Sequence, residues 1–531
     1  MYFYGPETLS PEHFSSDLCR KTGLVQVHEG DCYQQFLDTF DGRLFNAGGY
    51  LLFEEDKTGR QMIWCSLKDD RLLGRVVLSD RKQDLVRTVS AKPAFVWDLP
   101  SSPVRRRLEK VLDMRRLLPL LDLRTTRREY HLLGRDRKKI ATVFLEYSRV
   151  NPAGQDITIE DGWIMRLLPP VRGYEQDAAK LAQRLQQDMG FETRDIPYLS
   201  HLLRRCEITP GGYSSKLSLA LDPQAPAGTA TKQILNTLFD TLRANEEGLI
   251  ADLDSEFLHD FRVAVRRTRS AFSQIKNVFP GPEAAFWKEQ FSWLGQITGP
   301  KRDLDVYVLK FDAYLALLPP EYRETLEELR KFLLIRQCEE QKKLVRALRS
   351  KKYRDLIRRY QTFLRREARG DEAASDALRP IKQVADKRIW KMFVRIIAEG
   401  RAITAGSPAE DLHELRKTGK KLRYLLEFFQ SLYPAGAIRG LIKTLKNLQD
   451  NLGDFQDYEV QAHSISGFSQ AMQARGMGTA QTFTAMGILC SHLLKGQQAA
   501  REEFAARFAA FDTKDIYNRF QTLFGSGLTR Q

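Results

Sequence analysis

Two histidines open the same run of residue types at two places in this sequence. Leu258-His259-x-x-Arg262-x-x-x-Arg266-Arg267-x-Arg269 is matched by Leu412-His413-x-x-Arg416-x-x-x-Lys420-Lys421-x-Arg423, at a spacing of 154 residues. At about 100° per residue, His259, Arg262, Arg266 and Arg269 fall within roughly an 80° sector of a helix. His413, Arg416, Lys420 and Arg423 repeat that sector, and Arg267 and Lys421 widen it. Arginine's planar fork suits oxyanions. Only Asp260 and Glu414 intervene, off the sector, so such a row repels itself unless an anion crosses it. A lone basic helix is ordinarily a solvated face. Duplication, a histidine at the same place in both copies and the choice of arginine argue instead for a linear polyanion. Each histidine is followed by arginines rather than by another ligand, a poor setting for a divalent cation, and neither a metal nor a cofactor is expected. The histidines are expected to donate hydrogen bonds to phosphate. Neutral at about pH 7.5 and cationic below about 6.5, they would strengthen binding as pH falls.

Such rows need rigid carriers. Phe261, Val265, Phe272 and Ile275 form an apolar stripe on another face of the first helix, and Leu415, Leu422, Leu426 and Phe429 do so in the second. The same spacing joins Pro280 to Pro434, Leu294 to Leu448, Gly299 to Gly453, Asp303 to Asp457 and Val306 to Val460. That is too long for a solenoid repeat and predicts two copies of one helical unit. Helical stretches run from Thr229 to about Phe524, broken by Phe279-Pro280-Gly281-Pro282, Leu318-Pro319-Pro320, Gly406-Ser407-Pro408 and Tyr433-Pro434, the signature of helix bundles. Further cations, including Arg354 and Arg358, crowd one long helix, and Lys387, Arg388 and Lys391 open another. Asp303, Asp305, Asp454 and Asp457 are read as helix caps and arginine partners.

The first 215 residues read differently. Gln61–Leu67 and Val76–Ser79 flank a turn at Lys68-Asp69-Asp70-Arg71, and Glu129–Leu133 and Ile140–Tyr147 flank Gly134-Arg135-Asp136-Arg137, a hairpin signal. Gly173 to Met189 reads as one amphipathic helix, with Ala178, Leu181, Leu185 and Met189 on its apolar side. Three segments follow: 1–215, a linker at 216–228 around Pro223–Gly228, and 229–524. Of 83 Lys and Arg, 50 lie beyond residue 215, against 38 of the 68 Asp and Glu, so most of the formal charge of +15 belongs to the helical part. Such an excess calls for an anionic partner. No apolar run approaches a bilayer's thickness, no secretory start is visible, and the six scattered cysteines lack a Cys-x-x-Cys pair. A cytoplasmic protein without membrane attachment is expected.

The doubled Leu-His-x-x-Arg motif, Gly-Pro-Lys-Arg-Asp-Leu-Asp-Val at 299–306 and Leu-Gly-Asp at 452–454 resemble the CHAD family, the conserved-histidine α-helical domain. The resemblance implies two pseudo-symmetric four-helix bundles that bind inorganic polyphosphate and recruitment to polyphosphate granules. It carries binding roles to His259, Arg262, Arg266, Arg267, Arg269, His413, Arg416, Lys417, Lys420, Lys421, Arg423 and Tyr424, with Arg302, Arg354, Arg358, Lys387, Arg388 and Lys391 beside them. The first part resembles a CYTH, or triphosphate-tunnel, domain: an antiparallel β-barrel in an α+β setting. Phe36 to Leu44 is similar to that family's Tyr-x-Asp-Thr-x-Asp-x-x-Leu, Thr126-Arg127-Arg128 to its basic mid-domain strand, and Tyr213-Ser214-Ser215-Lys216 to its closing segment.

The catalytic positions depart. No Glu-x-Glu-x-Lys occurs in residues 1–40, and Leu51-Leu52-Phe53-Glu54 stands where the family has Leu-Arg-x-Arg. Without the paired acids nothing holds the metal that would polarise a triphosphate, so a degenerate tunnel with no catalytic residues is expected. The leading expectation is a non-enzymatic polyphosphate binder. A divergent triphosphatase is the second reading and nucleic-acid binding the third, the last weakened by basic helices without interleaved aromatics. The sequence names no protein partner for the first part.

Overall fold

The computed structural model describes residues 2–5, 11–80, 92–134, 136–193, 196–366 and 374–525. Arg135, within the hairpin signal, lies outside them. The chain divides into two compact units, Met1–Ser214 and Ser215–Gln531.

Among the described residues the first unit has nine antiparallel strands: β1 (Tyr2–Tyr4), β2 (Leu24–Asp38), β3 (Gly49–Glu55), β4 (Gly59–Ser66), β5 (Leu72–Asp80), β6 (Leu118–Leu133), β7 (Lys139–Pro152), β8 (Ile159–Leu167) and β9 (Glu192–Thr193). Their order is β5-β4-β3-β2-β6-β7-β8-β1-β9. The sheet agrees with a tunnel-family fold but is not closed into the barrel expected. Among the described residues no ladder joins its edge strands, and β9 has only two residues with which to pair. Both turn-flanked pairs read from the sequence are present, as β4–β5 and β6–β7.

Among the described residues the helices that accompany the sheet are α1 (Pro11–Thr22), α2 (Arg43–Asn46), α3 (Pro103–Leu112), α4 (Glu175–Met189) and α5 (Tyr198–Arg205). Helix α4 buries Ala178, Leu181 and Leu185 against Phe3, Tyr130, Val143 and Met165, with Met189 at the margin. The acidic motif near residue 40 is structural. The Asp38 carboxylate accepts the backbone N–H groups of Thr39, Leu44 and Phe45 and so starts α2. Gly42 has φ of 63°, and a Cβ there would stand 2.5 Å from the Gly211 Cα, so the chain just before the closing segment packs directly on this turn.

The second unit is helical: α6 (Ala227–Ile250), α7 (Ser255–Gln274), α8 (Gly281–Leu309), α9 (Phe311–Leu317), α10 (Pro320–Arg323), α11 (Glu327–Leu348), α12 (Lys351–Arg365), α13 (Ile381–Ala402), α14 (Ala409–Phe428), α15 (Ala435–Ala474), α16 (Ala480–Phe511) and α17 (Lys514–Phe520). Helices α13, α14 and α15 begin 154 residues after α6, α7 and α8, and α14 also ends 154 residues after α7. The proline breaks become helix starts, with Pro280, Pro408 and Pro434 at the N-caps of α8, α14 and α15. Asp254 caps α7, accepting from the Glu256 and Phe257 amides. Each copy packs its middle helix between its neighbours, and α7 touches α14 across the copies. One core spans both, joining Leu304, Tyr307 and Phe332 to Ile465, Met486 and Leu489. The stretch read as a linker is fastened to this unit. Leu217 and Leu221 are buried, Gln430 donates to the Leu217 carbonyl at 2.8 Å, and α6 begins within the stretch, at Ala227.

Candidate functional site

The apolar stripes of α7 and α14 are buried as their spacing predicts: Phe261, Val265, Phe272 and Ile275 in one copy, Leu415, Leu422, Leu426 and Phe429 in the other. Burial of those faces turns the basic rows outward. Where α7 and α14 meet, with α13 and the start of α8 beside them, they border a groove of about 790 Å³. Nine cations line it: Arg266, Arg269, Lys276, Lys288, Arg388, Lys391, Arg395, Lys420 and Lys421. No acid does. Among the described residues only Arg395 of the nine has an ion pair, with Glu399 at 2.6 Å.

Arg266 and Lys420 are equivalent positions of the two copies, and here they share one wall. Burial, then Arg416, then Arg266 push the Lys420 ammonium down to about 8. Arg262 is pushed down to about 10 by burial, then by Arg266, with Arg302 adding to it. Each cation therefore feels the next, in a chain from Arg302 through Arg262, Arg266 and Lys420 to Arg416. Like charges held this close with so little acid favour an anion over every alternative counter-charge.

The flanks are only partly matched. In the first copy the Arg302 guanidinium donates to His259 Nδ1 at 2.9 Å. Arginine cannot accept, so this imidazole is neutral and carries its proton on Nε2. The charge expected at His259 on acidification would break that bond. Arg262 Nη1 donates to the Gly295 carbonyl at 3.0 Å and the Thr298 hydroxyl at 2.9 Å. In the second copy Gln456 replaces Arg302 beside His413 Nδ1. Arg416 pairs with Asp457 at 2.9 Å, and Lys417 with Glu414 at 2.7 Å.

The rows are less free of acid than helical spacing indicates. Glu427, beyond the motif on α14, pairs with Arg267 at 2.8 Å and with Arg423 at 3.3 Å. The Arg267 pair joins the two copies and the Arg423 pair lies within α14; both arginines stand outside the groove lining, whereas Tyr424, Arg388 and Lys391 line it. Lys387 is exposed outside it. Arg354 donates to the Arg349 carbonyl and Arg358 pairs with Asp355, both on α12 and away from the groove. Lys276, Lys288 and Arg395 were not legible as site residues. Arg395 continues the Arg388, Lys391 spacing by one helical turn, which is a usable signal. Lys276 and Lys288 have none, because Gln430 and Ile442 stand at the repeat positions.

The interior of the sheet unit is charged and self-satisfied. Glu54 accepts from Arg127 at 2.6 Å, and from Gln34 and Gln61 at 2.8 Å each. Arg127 also reaches Glu146 at 2.7 Å, and Arg166 reaches Glu146 at 3.1 Å. Burial alone would raise the Glu54 carboxyl, but Arg127 and Arg166 outweigh it and hold it far below the usual range.

Among the described residues two groups of side chains come within metal-binding reach. The ligand atoms of Cys32, Glu54 and Asp56 lie within 4.8 Å of one another, as do those of Glu410, His413 and Glu414. In the first, Glu54 is saturated and burial raises the Cys32 thiol. In the second, Lys417 holds Glu414 and Gln456 holds His413. Neither arrangement fits a cation well.

The chain is 26% identical over 347 residues to an uncharacterized protein of Mycobacterium tuberculosis, matched in two strains. That match takes in 60% of this chain and 62% of the relative, so the chain spans under two thirds of the length of the curated relatives it matches. Among solved structures it is similar to the CHAD domain from the plant Ricinus communis, with 26% identity and a TM-score of 0.47, covering 55% of this chain and 94% of that one. It is also similar to PptA from Streptomyces chartreusis, with 14% identity and a TM-score of 0.41, covering 54% and 100%. The helical unit of this chain carries a CHAD domain match over residues 233–466, which take in both histidine motifs, the junction of α7 and α14 and most of α15.

Proposed function

We propose that the helical unit binds inorganic polyphosphate without chemical turnover, in the groove between the two copies. The observation that carries this reading is the groove itself, lined by nine cations and no acid, with Lys420 pushed down to about 8. A flexible chain of phosphates can neutralise such a wall along its whole length, and a single small anion cannot. Recruitment to polyphosphate granules is the cellular consequence of this reading. The His259 and His413 ends and the Arg262 and Arg416 positions extend the contact beyond the groove.

Hydrolysis of triphosphate by the sheet unit is the weaker reading. The guanidiniums of Arg127 and Arg166 are already neutralised by Glu54 and Glu146, so an entering triphosphate would have to displace buried carboxylates. Nucleic acid is weaker too, because the groove lining offers only Phe272 and Tyr424 as aromatic rings, and Phe272 is buried.

The test is affinity for polyphosphate against RNA of equal charge at physiological salt, using wild type and the Arg266→Ala, Arg269→Ala, Lys420→Ala triple variant. Wild type should prefer polyphosphate, and each cation removed should lessen the salt slope by about 0.7. Equal competition by RNA, or an unchanged triple variant, would overturn the reading.

A further inference from the structure

Residues 342–366 carry eleven Lys and Arg against one acid, Asp355. The stretch 154 residues later, 496–520, carries four of each. This excess therefore belongs to one copy alone, and the pseudo-symmetric groove does not account for it. Lys343, Arg358 and Arg366 are neutralised by Glu340, Asp355 and Glu283. Among the described residues the other eight have no ion pair. Lys342, Arg346, Arg349, Lys351 and Arg354 are exposed around the α11–α12 corner.

Two members of this group fix where α12 lies. Lys352 Nζ sits 4.2 Å from the centre of the Trp293 ring, and the Arg359 guanidinium 5.4 Å from that of Phe286. Both rings belong to α8, whose first turns also supply Gly281, Ala284, Ala285 and Lys288 to the groove. At about 100° per residue, the two rings stand roughly 140° around α8 from the groove residues. Exposed Glu289 falls in the sector between. The groove and the α12 row are thus two basic surfaces on opposite flanks of one helix, separated by a carboxylate.

We infer that the exposed cations of α11 and α12 form a second anchorage for a long polyphosphate chain whose first anchorage is the groove. This rests on the reading of the groove given above. A short chain fills the groove and stops at the Glu289 ridge. A long chain crosses the ridge, and its second contact is then intramolecular, which raises avidity without any new kind of contact. Polyphosphate is favoured over RNA for this row because the two rings nearest it already carry cations on their faces, leaving bare charge rather than stacking platforms.

The experiment measures affinity per phosphate for short and long polyphosphate, and for RNA of matched charge. It uses wild type, a corner variant (Lys342→Ala, Arg346→Ala, Lys351→Ala, Arg354→Ala) and a groove variant (Arg266→Ala, Lys420→Ala). All four corner residues are exposed, so the fold should survive, and circular dichroism checks it. Wild type should bind long chains about 100-fold more tightly than short ones. The corner variant should keep short-chain affinity and lose most of that advantage. A corner variant with the wild-type length advantage overturns the second anchorage and leaves the groove intact. Loss of RNA binding alone in that variant also overturns it, by assigning the row to nucleic acid. Undiminished short-chain binding by the groove variant would instead count against the groove.

Discussion

Arg266 and Lys420 hold the same place in two copies of one helix, and the fold sets them on one groove wall where each opposes the other's charge. Unfolded, the lysine has its ordinary value of 10.5; folded, it sits near 8. Between those values the unfolded chain binds more protons, so this group makes the unliganded domain more stable as pH rises across the window. A bound polyanion reverses the shift. Binding should therefore take up protons at about pH 8.5 and weaken as pH rises through about 8. Calorimetry in two buffers of different ionisation enthalpy should show net uptake in wild type and little in Lys420→Arg. Equal heats for wild type in both buffers would place Lys420 away from the anion.

Glu427 is the internal counter-charge of Arg267 and Arg423. Glu427→Gln should lower unfolding free energy by about 2 kcal/mol through the weakened charge-assisted bonds to Arg267 in the other copy and to Arg423 on its own helix. The same change frees two arginines, so polyphosphate affinity should rise while the apo melting temperature falls. A variant that loses both stability and affinity would show that Glu427 shapes the groove instead of restraining its charge.

Arg388 has two tasks. Its Nε donates to the Gln274 carbonyl, the last residue of α7, at 2.6 Å, while the side chain lines the groove. Arg388→Ala should cost about 1 kcal/mol of stability and also weaken polyphosphate binding. Lys391→Ala, one turn along, should weaken binding alone. Thermal melts with and without polyphosphate separate the two effects.

In the sheet unit, Glu54→Gln should leave Arg127 and Arg166 sharing Glu146 and destabilise that unit by about 3 kcal/mol. The wild-type carboxyl is depressed on folding, from an ordinary value of 4.5. Its contribution is thus present above pH 4.5 and lost as pH falls below it. Urea midpoints of the sheet unit measured at neutral pH and below 4.5 should fall in wild type, and less in Glu54→Gln. An equal fall in both would remove Glu54 from the network's energetics.

How much was legible in the sequence follows from what repeats and what does not. The 154-residue spacing by itself determined that α7 and α14 are one helix twice, with matching apolar stripes and matching basic rows, because helical periodicity is local and a duplication preserves it. Prolines marked the breaks between helices, because a residue without an N–H cannot continue one. Glu54 in place of an arginine also announced an altered interior. What only the tertiary structure decided is which charges meet. Glu427 lies outside the motif yet neutralises Arg267 across 160 residues, and Arg302 makes His259 Nδ1 an acceptor while Gln456 stands at the matching place beside His413. Lys276 and Lys288 join the groove without any repeat signal. Four strands of the first unit were visible as two turn-flanked pairs of runs, but whether the sheet closes depends on how its edges pair, and that was settled by long-range packing. Coulomb interactions follow distance in space, and a duplicated sequence sets which side chains are offered, whereas the packing of the copies sets which of them face each other.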